Sequence, residues 1–371
     1  MQAMRVKLAL STLCEDPCRR TGLSTLFPEF VAHARRLFPE VTWLVFVGKG
    51  APWPVEDTGV EVCRAYPSNG QPLRRLFADH FEVGREARAR GAAALLTVGF
   101  FPVRPAGLPV AMHVFALNHL RRGRGVRDVY RAWAVSRGLD KASLVVVNSA
   151  WTKSRLGPAK GPILVSPEGL RHDLFMPDGP SGVPGITGRY ILWASNFYAY
   201  KRVELALAAY AGLPATMRSE FPFVLAGGDW AGGRHRAEAE AARLSILKDV
   251  RFLGWVDDEA LPALYRGASA YVLSTSEETF GRSVLESMAC GCPCLVHDIP
   301  VLREVAGDCA SYVDFADCTR ASQALERICS DGDQRARLRA SGIERSKLFS
   351  FDRLTIERVN AVLSMIGAAQ P

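Results

Sequence analysis

Short apolar runs alternate with helix-length amphipathic segments along the whole chain, and no other feature of the sequence limits the fold so strongly. In the first half "MRVKLALSTL", "VTWLVFVG", "AALLTVGF", "LPVAMHVFA" and "SLVVVNSA" read as strands, with "STLFPEFVAHARRLF" and "GVRDVYRAWAVSRGL" as helices between them. The second half repeats the plan with "YILWASNF", "FPFVLAGG", "VRFLGW", "AYVLSTS", "CPCLVHD" and "ASYVDF" as strands, and "VELALAAYAG", "AEAEAARLSIL", "DEALPALYRGA" and "SVLESMAC" as helices. Such alternation implies parallel sheets covered on both faces. A chain of 371 residues exceeds what one core usually supports, so two doubly wound α/β domains are expected. "PDGPSGVPGITG", residues 177 to 188, has four glycines and three prolines and reads as the linker, giving domains over 1–178 and 179–371. Two facing domains of this kind create a cleft at the carboxyl ends of their strands, where ligands of open α/β sheets bind.

Charge is divided unevenly. Residues 1 to 168 hold 24 Lys and Arg against 13 Asp and Glu, and the remainder 22 against 25, so the positive surface belongs to the first half. Much of it sits in "RRGRGVRDVYR", residues 121 to 131, either a solvated helix face or an attraction for an anionic membrane surface or a phosphorylated acceptor. Few aromatics interleave the run, which argues against nucleic acid. The polar start, "STLCEDPCRR" directly behind "MQAMRVKLAL", does not read as a signal peptide, and no apolar run of membrane-spanning length occurs. A cytoplasmic protein is expected, peripheral at the inner face of the cell membrane at most. Nine cysteines without scaffold spacing fit a reducing compartment, and Cys290, Cys292 and Cys294 read as small buried thiols of one strand.

The chemistry concentrates in "SEETFGRSVLESMACGCPCLVHDIP", residues 276 to 300. "AYVLSTS" is a strand, "EETFG" its exit loop and "RSVLESMAC" a helix starting near Gly281. Glu278 then stands at a strand's carboxyl end and Glu286 in the first turns of the helix. Backbone N–H groups near Gly281, Arg282 and Ser283 form a positive helix terminus suited to phosphate. A carboxylate beside phosphate is explicable when it accepts two vicinal hydroxyls of the same ligand. Ribose, diphosphate and hexose in series make a nucleotide sugar. The plainer alternative is that Glu278 caps the helix and Glu286 is an exposed helix residue.

From Val250 to about Phe351 the sequence resembles the C-terminal domain of glycosyltransferase family 4, retaining enzymes of the GT-B fold, in which two Rossmann-like domains face each other. The two glutamates, Phe280, Gly281, "MACGCP" and "LREVAG" follow that pattern in order, and weaker likeness extends through "ILWASNFYAYKRVELALAAY", "VVNSAWTKSRL" and "PEGLRHDLFMP". The resemblance implies that Glu278 holds hydroxyls of the donor sugar, Glu286 the ribose, and backbone at Thr279, Phe280, Gly281, Arg282 and Ser283 the sugar and diphosphate. It implies that Lys201 binds the diphosphate. Asn196 stands where the family usually has an arginine, with Arg282 or Arg202 as the replacement charge. His113, with His119 as competitor, would line the sugar site, and Gly22 would press against the diphosphate, unless it simply opens a helix. Base contacts are expected at Gly254 and Trp255. The helix over about 350–367 would cross back to the N-terminal domain, which binds the acceptor.

The expected reaction is retaining, with Lys201 and two backbone termini stabilising the departing diphosphate and no metal or other cofactor. The acceptor hydroxyl would attack from the same face, the diphosphate taking its proton. The nearest match to a metal-binding Asp-x-Asp is Asp331-x-Asp333, in a surface-like turn. The expected partners are a UDP- or GDP-linked sugar and a carbohydrate, lipid-linked or small-molecule acceptor, in bacterial surface polysaccharide or glycolipid assembly. Alternatives are a transferase acting on a natural product and a non-catalytic sugar-nucleotide-binding protein. A dinucleotide oxidoreductase is disfavoured, because no Gly-x-Gly-x-x-Gly follows the first strand.

Overall fold

The computed structural model describes residues 5–15, 22–55, 57–117, 125–182, 185–186, 188–229 and 232–367. The chain divides into two units, Met1–Gly169 with Phe351–Pro371, and Leu170–Ser350.

The first unit is built on β1 (Val6–Ser11), β2 (Val41–Phe46), β3 (Val60–Cys63), β4 (Ala94–Val98), β5 (Val110–Val114), β6 (Leu144–Val147) and β7 (Ile163–Val165). They pair in parallel in the order β3-β2-β1-β4-β5-β6-β7. β5 and β6 are buried along their whole length, as continuous apolar strands must be when both faces are covered. One face packs on the Gly22–Leu37 helix through Phe27, Phe30 and Val31. The terminal helix, Phe351–Met365, adds Phe351, Val359, Val362 and Leu363 to that core. Its Arg358, 2 % exposed, donates to Ser166 Oγ at 2.8 Å and to the carbonyls of Ser166 and Pro167.

The second unit holds β8 (Tyr190–Ala194), β9 (Phe223–Ala226), β10 (Val250–Gly254), β11 (Ala268–Leu273), β12 (Cys294–His297) and β13 (Ser311–Val313), parallel in the order β10-β9-β8-β11-β12-β13.

Three expectations change. The chain passes into the second unit at Gly169, ahead of the glycine- and proline-rich stretch, because that stretch packs on the second unit. Arg266 donates to the carbonyls of Met176 and Pro180, and Gly182 N to Ala263 O at 2.9 Å. β3 and β7 were absent from the sequence reading; they are edge strands of four and three residues, too short to show a period. The three cysteines are buried thiols, but they do not share a strand. Cys290 caps a helix, Cys292 lies in the following turn, and only Cys294 enters β12.

Candidate functional site

In the second sheet the strand order reverses between β8 and β11, so their exit loops diverge and leave a crevice at the carboxyl edge. Hydroxyl side chains at the end of β11 fasten the two loops together. Ser274 Oγ lies 3.1 and 2.8 Å from the carbonyls of Lys201 and Arg202, while Thr275 Oγ1 and Ser276 N lie 3.2 and 2.8 Å from Tyr200 O. Ser274 and Thr275 are wholly buried. The fastening supports a local strain: Arg202 has φ 51°, in the left-handed region that favours glycine. A side chain there costs about 1–2 kcal/mol.

From this platform Lys201 Nζ donates to Glu278 Oε1 across the crevice, with side chains 12 and 13 % exposed. Burial alone would pull the Lys201 pKa down; the Glu278 carboxylate, with a smaller contribution from Tyr200, outweighs it and holds the ammonium above its ordinary value. Lys201 Nζ also sits 5.3 Å from the centroid of the Tyr200 ring.

The Arg282–Ala289 helix begins directly behind. Gly281 precedes it with φ 97°, and a Cβ there would stand 2.5 Å from Leu302 Cδ2, so conformation and space both require glycine. The first-turn N–H groups face the crevice end of the helix as its positive terminus. Tyr271 Oη lies 2.7 Å from Ser283 Oγ and 3.1 Å from Ala194 O, which ties that turn to β8. One turn on, Glu286 is 8 % exposed. Arg282 Nε donates to its Oε1 at 3.0 Å and Tyr265 Oη to its Oε2 at 3.2 Å. Burial raises its pKa to about 7, opposed by Arg282 and assisted by Asp258.

The other expected positions take varied places. Asn196 Oδ1 accepts from Gly228 N at 3.1 Å, which binds the exit of β8 to that of β9. Two further glycines press on the same loop: a Cβ at Gly227 or Gly233 would lie 1.8 Å from the carbonyl oxygen of Ser195 or Phe197. Gly254 ends β10 with φ 75° and accepts from Gly227 N, and Trp255 is 40 % exposed beside it. Thr279 is half-buried in the β11 exit loop, whereas the Phe280 ring is buried, edge-on to Phe349 at 5.6 Å. In the first unit Gly22 opens its helix. His113 is the penultimate residue of β5, 1 % exposed, its ring edge-on to Phe27 and Phe115. Burial, then the charge of Arg358, lowers its pKa to about 3, so the imidazole is neutral. His119 lies outside the described residues. Asp331 caps the Gly332–Ser346 helix, accepting from Gln334 N at 2.9 Å, and no cluster of three metal-ligating side chains occurs among the described residues.

Lys201, Asn196, Glu278 and Glu286 all fall within residues 185–345, which match the family model for glycosyl transferases group 1. That stretch is similar to group 1 glycosyl transferases. O-antigen chain mannosyltransferase B of Escherichia coli is 27% identical over 243 residues, covering 62% of this chain and 63% of that protein. D-inositol 3-phosphate glycosyltransferase of Acidothermus cellulolyticus is 29% identical over 237 residues, covering 58% and 52%. The chain thus matches less than two thirds of the length of either relative. Among solved structures, sucrose-phosphate synthase of Thermosynechococcus elongatus superposes with a TM-score of 0.80 at 20% identity, covering 98% of this chain and all of that one. Anabaena HepE, in complex with UDP and glucose, superposes at 0.74 and 17% identity, covering 97% and 99%. The fold is therefore GT-B, and the stretch that matches the family model carries the crevice.

Sequence reasoning missed the residues that hold Lys201, Glu278 and Glu286 in place. Ser274 and Thr275 were read as the end of a strand, Tyr271 as part of the same strand and Tyr265 as part of a helix. The available signal was a pair of tyrosines, whose hydroxyls need partners when buried, shortly ahead of a carboxylate-bearing helix.

Proposed function

We propose that this chain is a retaining, metal-independent glycosyltransferase of family 4 that moves a hexose from a UDP- or GDP-linked donor to an acceptor hydroxyl. The observation that carries the reading is the placement of Glu278 and Glu286 on either side of one helix N-terminus, with Lys201 against the first. A carboxylate at each end suits hydroxyls, and the terminus between them suits a diphosphate. The names of the relatives support a donor of this class and an acceptor in surface polysaccharide or glycolipid assembly.

In the proposed reaction the bond from the anomeric carbon to the β-phosphate oxygen breaks, and a bond to the acceptor oxygen forms on the same face. The acceptor proton passes to the departing diphosphate. Lys201 and the Gly281–Ser283 backbone stabilise the charge growing on that diphosphate, as fixed groups that need not reorganise. Arg202, one residue beyond Lys201, supplies the charge that Asn196 lacks. Glu278 turns from Lys201 to the hexose hydroxyls, and Glu286 takes the ribose.

Thermal shifts and turnover with UDP, GDP and their hexose derivatives test the reading. Stabilisation by one nucleotide family and transfer from its sugar form are expected; binding without turnover on any acceptor would favour a non-catalytic sugar-nucleotide-binding protein.

Contact with an anionic membrane is the proposed location, on a separate observation. Leu73, Phe77, Val126, Val129 and Trp133 are 82, 57, 86, 66 and 44 % exposed on two helices, Pro72–Phe77 and Val126–Lys141. His80, which follows the first helix, bonds Tyr130 of the second at 2.8 Å. Arg74, Arg127 and Arg131 are exposed among them, a combination suited to an interfacial helix face. No helix of the described residues is long and apolar enough to cross a membrane. Vesicles of anionic lipid should sediment the protein where neutral vesicles do not, and Val129→Glu should abolish the difference.

A further inference from the structure

A pyranose presents two kinds of surface, a rim of hydroxyls and a flat face of C–H groups. A protein site for it needs polar acceptors for the rim and an apolar or aromatic wall for the face. Glu278 supplies the first. Among the described residues near it, the aromatic candidates for the second can be narrowed one by one. Phe280 is 2 % exposed and packs on Phe349. Tyr271 is wholly buried beneath the helix terminus. Trp255 belongs to the end of β10, with β9 and β8 between it and β11. Tyr198 and Tyr200 remain, both half-buried in the loop that carries Lys201.

Their geometry is that of a built surface. The two rings stack with centroids 5.7 Å apart and planes 10° from parallel. Tyr200 stands 5.3 Å from Lys201 Nζ, which itself contacts Glu278. A group held by Glu278 is therefore within one side chain's reach of the Tyr200 ring. The backbone at Tyr200 is fixed with unusual redundancy: its carbonyl lies within 2.8 Å of Ser276 N, 3.1 Å of Ser276 Oγ and 3.2 Å of Thr275 Oγ1. Tyr198 stacks behind and limits the rotation of the ring.

We infer that Tyr200, backed by Tyr198, is the wall against which the donor hexose lies, and so a specificity-determining residue. The inference rests on the nucleotide-sugar reading of the crevice. It predicts that Tyr200 is sensed by the sugar and not by the nucleotide.

Calorimetric titration of the whole protein with UDP, GDP, UDP-glucose and GDP-mannose tests it, on the unmodified chain, Tyr200→Ala and Tyr200→Phe. Tyr200→Ala should weaken the sugar-bearing form on the order of tenfold and leave the bare diphosphate within about twofold. Tyr200→Phe keeps the ring and should follow the unmodified chain. Equal weakening of both ligands would overturn the inference, because Tyr200 would then act through Lys201 on the diphosphate. So would unchanged binding of both. Should the unmodified chain bind none of the four, the reading of the crevice itself fails, and the wall with it.

Discussion

Lys201 and Glu278 face each other from the exits of adjacent parallel strands, β8 and β11, and neutralise one another at the carboxyl edge of the second sheet. Neither charge is fully compensated once its partner is removed, because both side chains are mostly shielded from water. Glu278→Gln should therefore leave an available cation: bare nucleoside diphosphate should bind as tightly or more tightly, while sugar transfer falls. Lys201→Ala should do the opposite to the diphosphate and lower kcat by about 10²–10³. Dissociation constants and kcat on both variants check the pair.

Glu286 gives the site a pH dependence. Its carboxyl is held near 7 by burial, so between the ordinary carboxylate range and neutrality the folded chain binds a proton that the unfolded chain has released. Stability from this group is present at low pH and is lost as pH rises toward 7. The ribose clamp proposed for Glu286 needs the ionised form, so donor affinity should rise over the same interval. Glu286→Gln should flatten the fall in melting temperature across that window and weaken donor binding at pH 8. A donor affinity that is independent of pH in the unmodified chain would contradict the clamp.

How much of this was legible in the sequence follows from what each residue does. All six strands of the second sheet were readable: β8, β9, β11 and β12 are nearly continuous buried apolar runs, and the half-buried edge strands β10 and β13 keep short apolar cores. Glu278, Gly281 and Glu286 could be placed at a strand-to-helix junction from the residues themselves, whereas Lys201 was singled out by the family resemblance alone. The supports were not readable. Ser274 and Thr275 act through hydroxyls aimed at the carbonyls of residues 200 to 202, a pairing set by the adjacency of β8 and β11 and not by local pattern. The same holds for Asn196. Its position suggested a missing charge, whereas its side chain is a bracket between two loops.

That bracket can be tested by isosteric substitution. Asn196→Asp keeps an acceptor for Gly228 N and should stay within about 0.5 kcal/mol of the unmodified chain. Asn196→Ala leaves the N–H without that partner and should cost about 1–2 kcal/mol in denaturant unfolding.

Gly281 combines a positive φ with a near neighbour, and the two penalties add. Gly281→Ala should destabilise the chain by about 2 kcal/mol or more, and the shift it forces on Leu302 or on the helix start should weaken diphosphate binding as well. Chemical denaturation and nucleotide titration on the same sample separate the two effects.

Arg202 poses the sharpest contrast between stability and activity. Its φ of 51° makes it one of few non-glycine residues of the described chain in left-handed backbone, and two carbonyl contacts from Ser274 hold the strand exit in that shape. A side chain kept at an unfavourable backbone angle is worth its cost only where the side chain acts. Glycine at this position relieves the angle, although it also loosens the unfolded chain, so Arg202→Gly should leave the melting temperature nearly unchanged. If the guanidinium supplies the charge that Asn196 lacks, the same variant should lose about tenfold or more in kcat/KM and bind nucleoside diphosphate more weakly. A variant equal to the unmodified chain in both stability and kcat/KM would assign the missing charge elsewhere, with Arg282 as the next residue to replace.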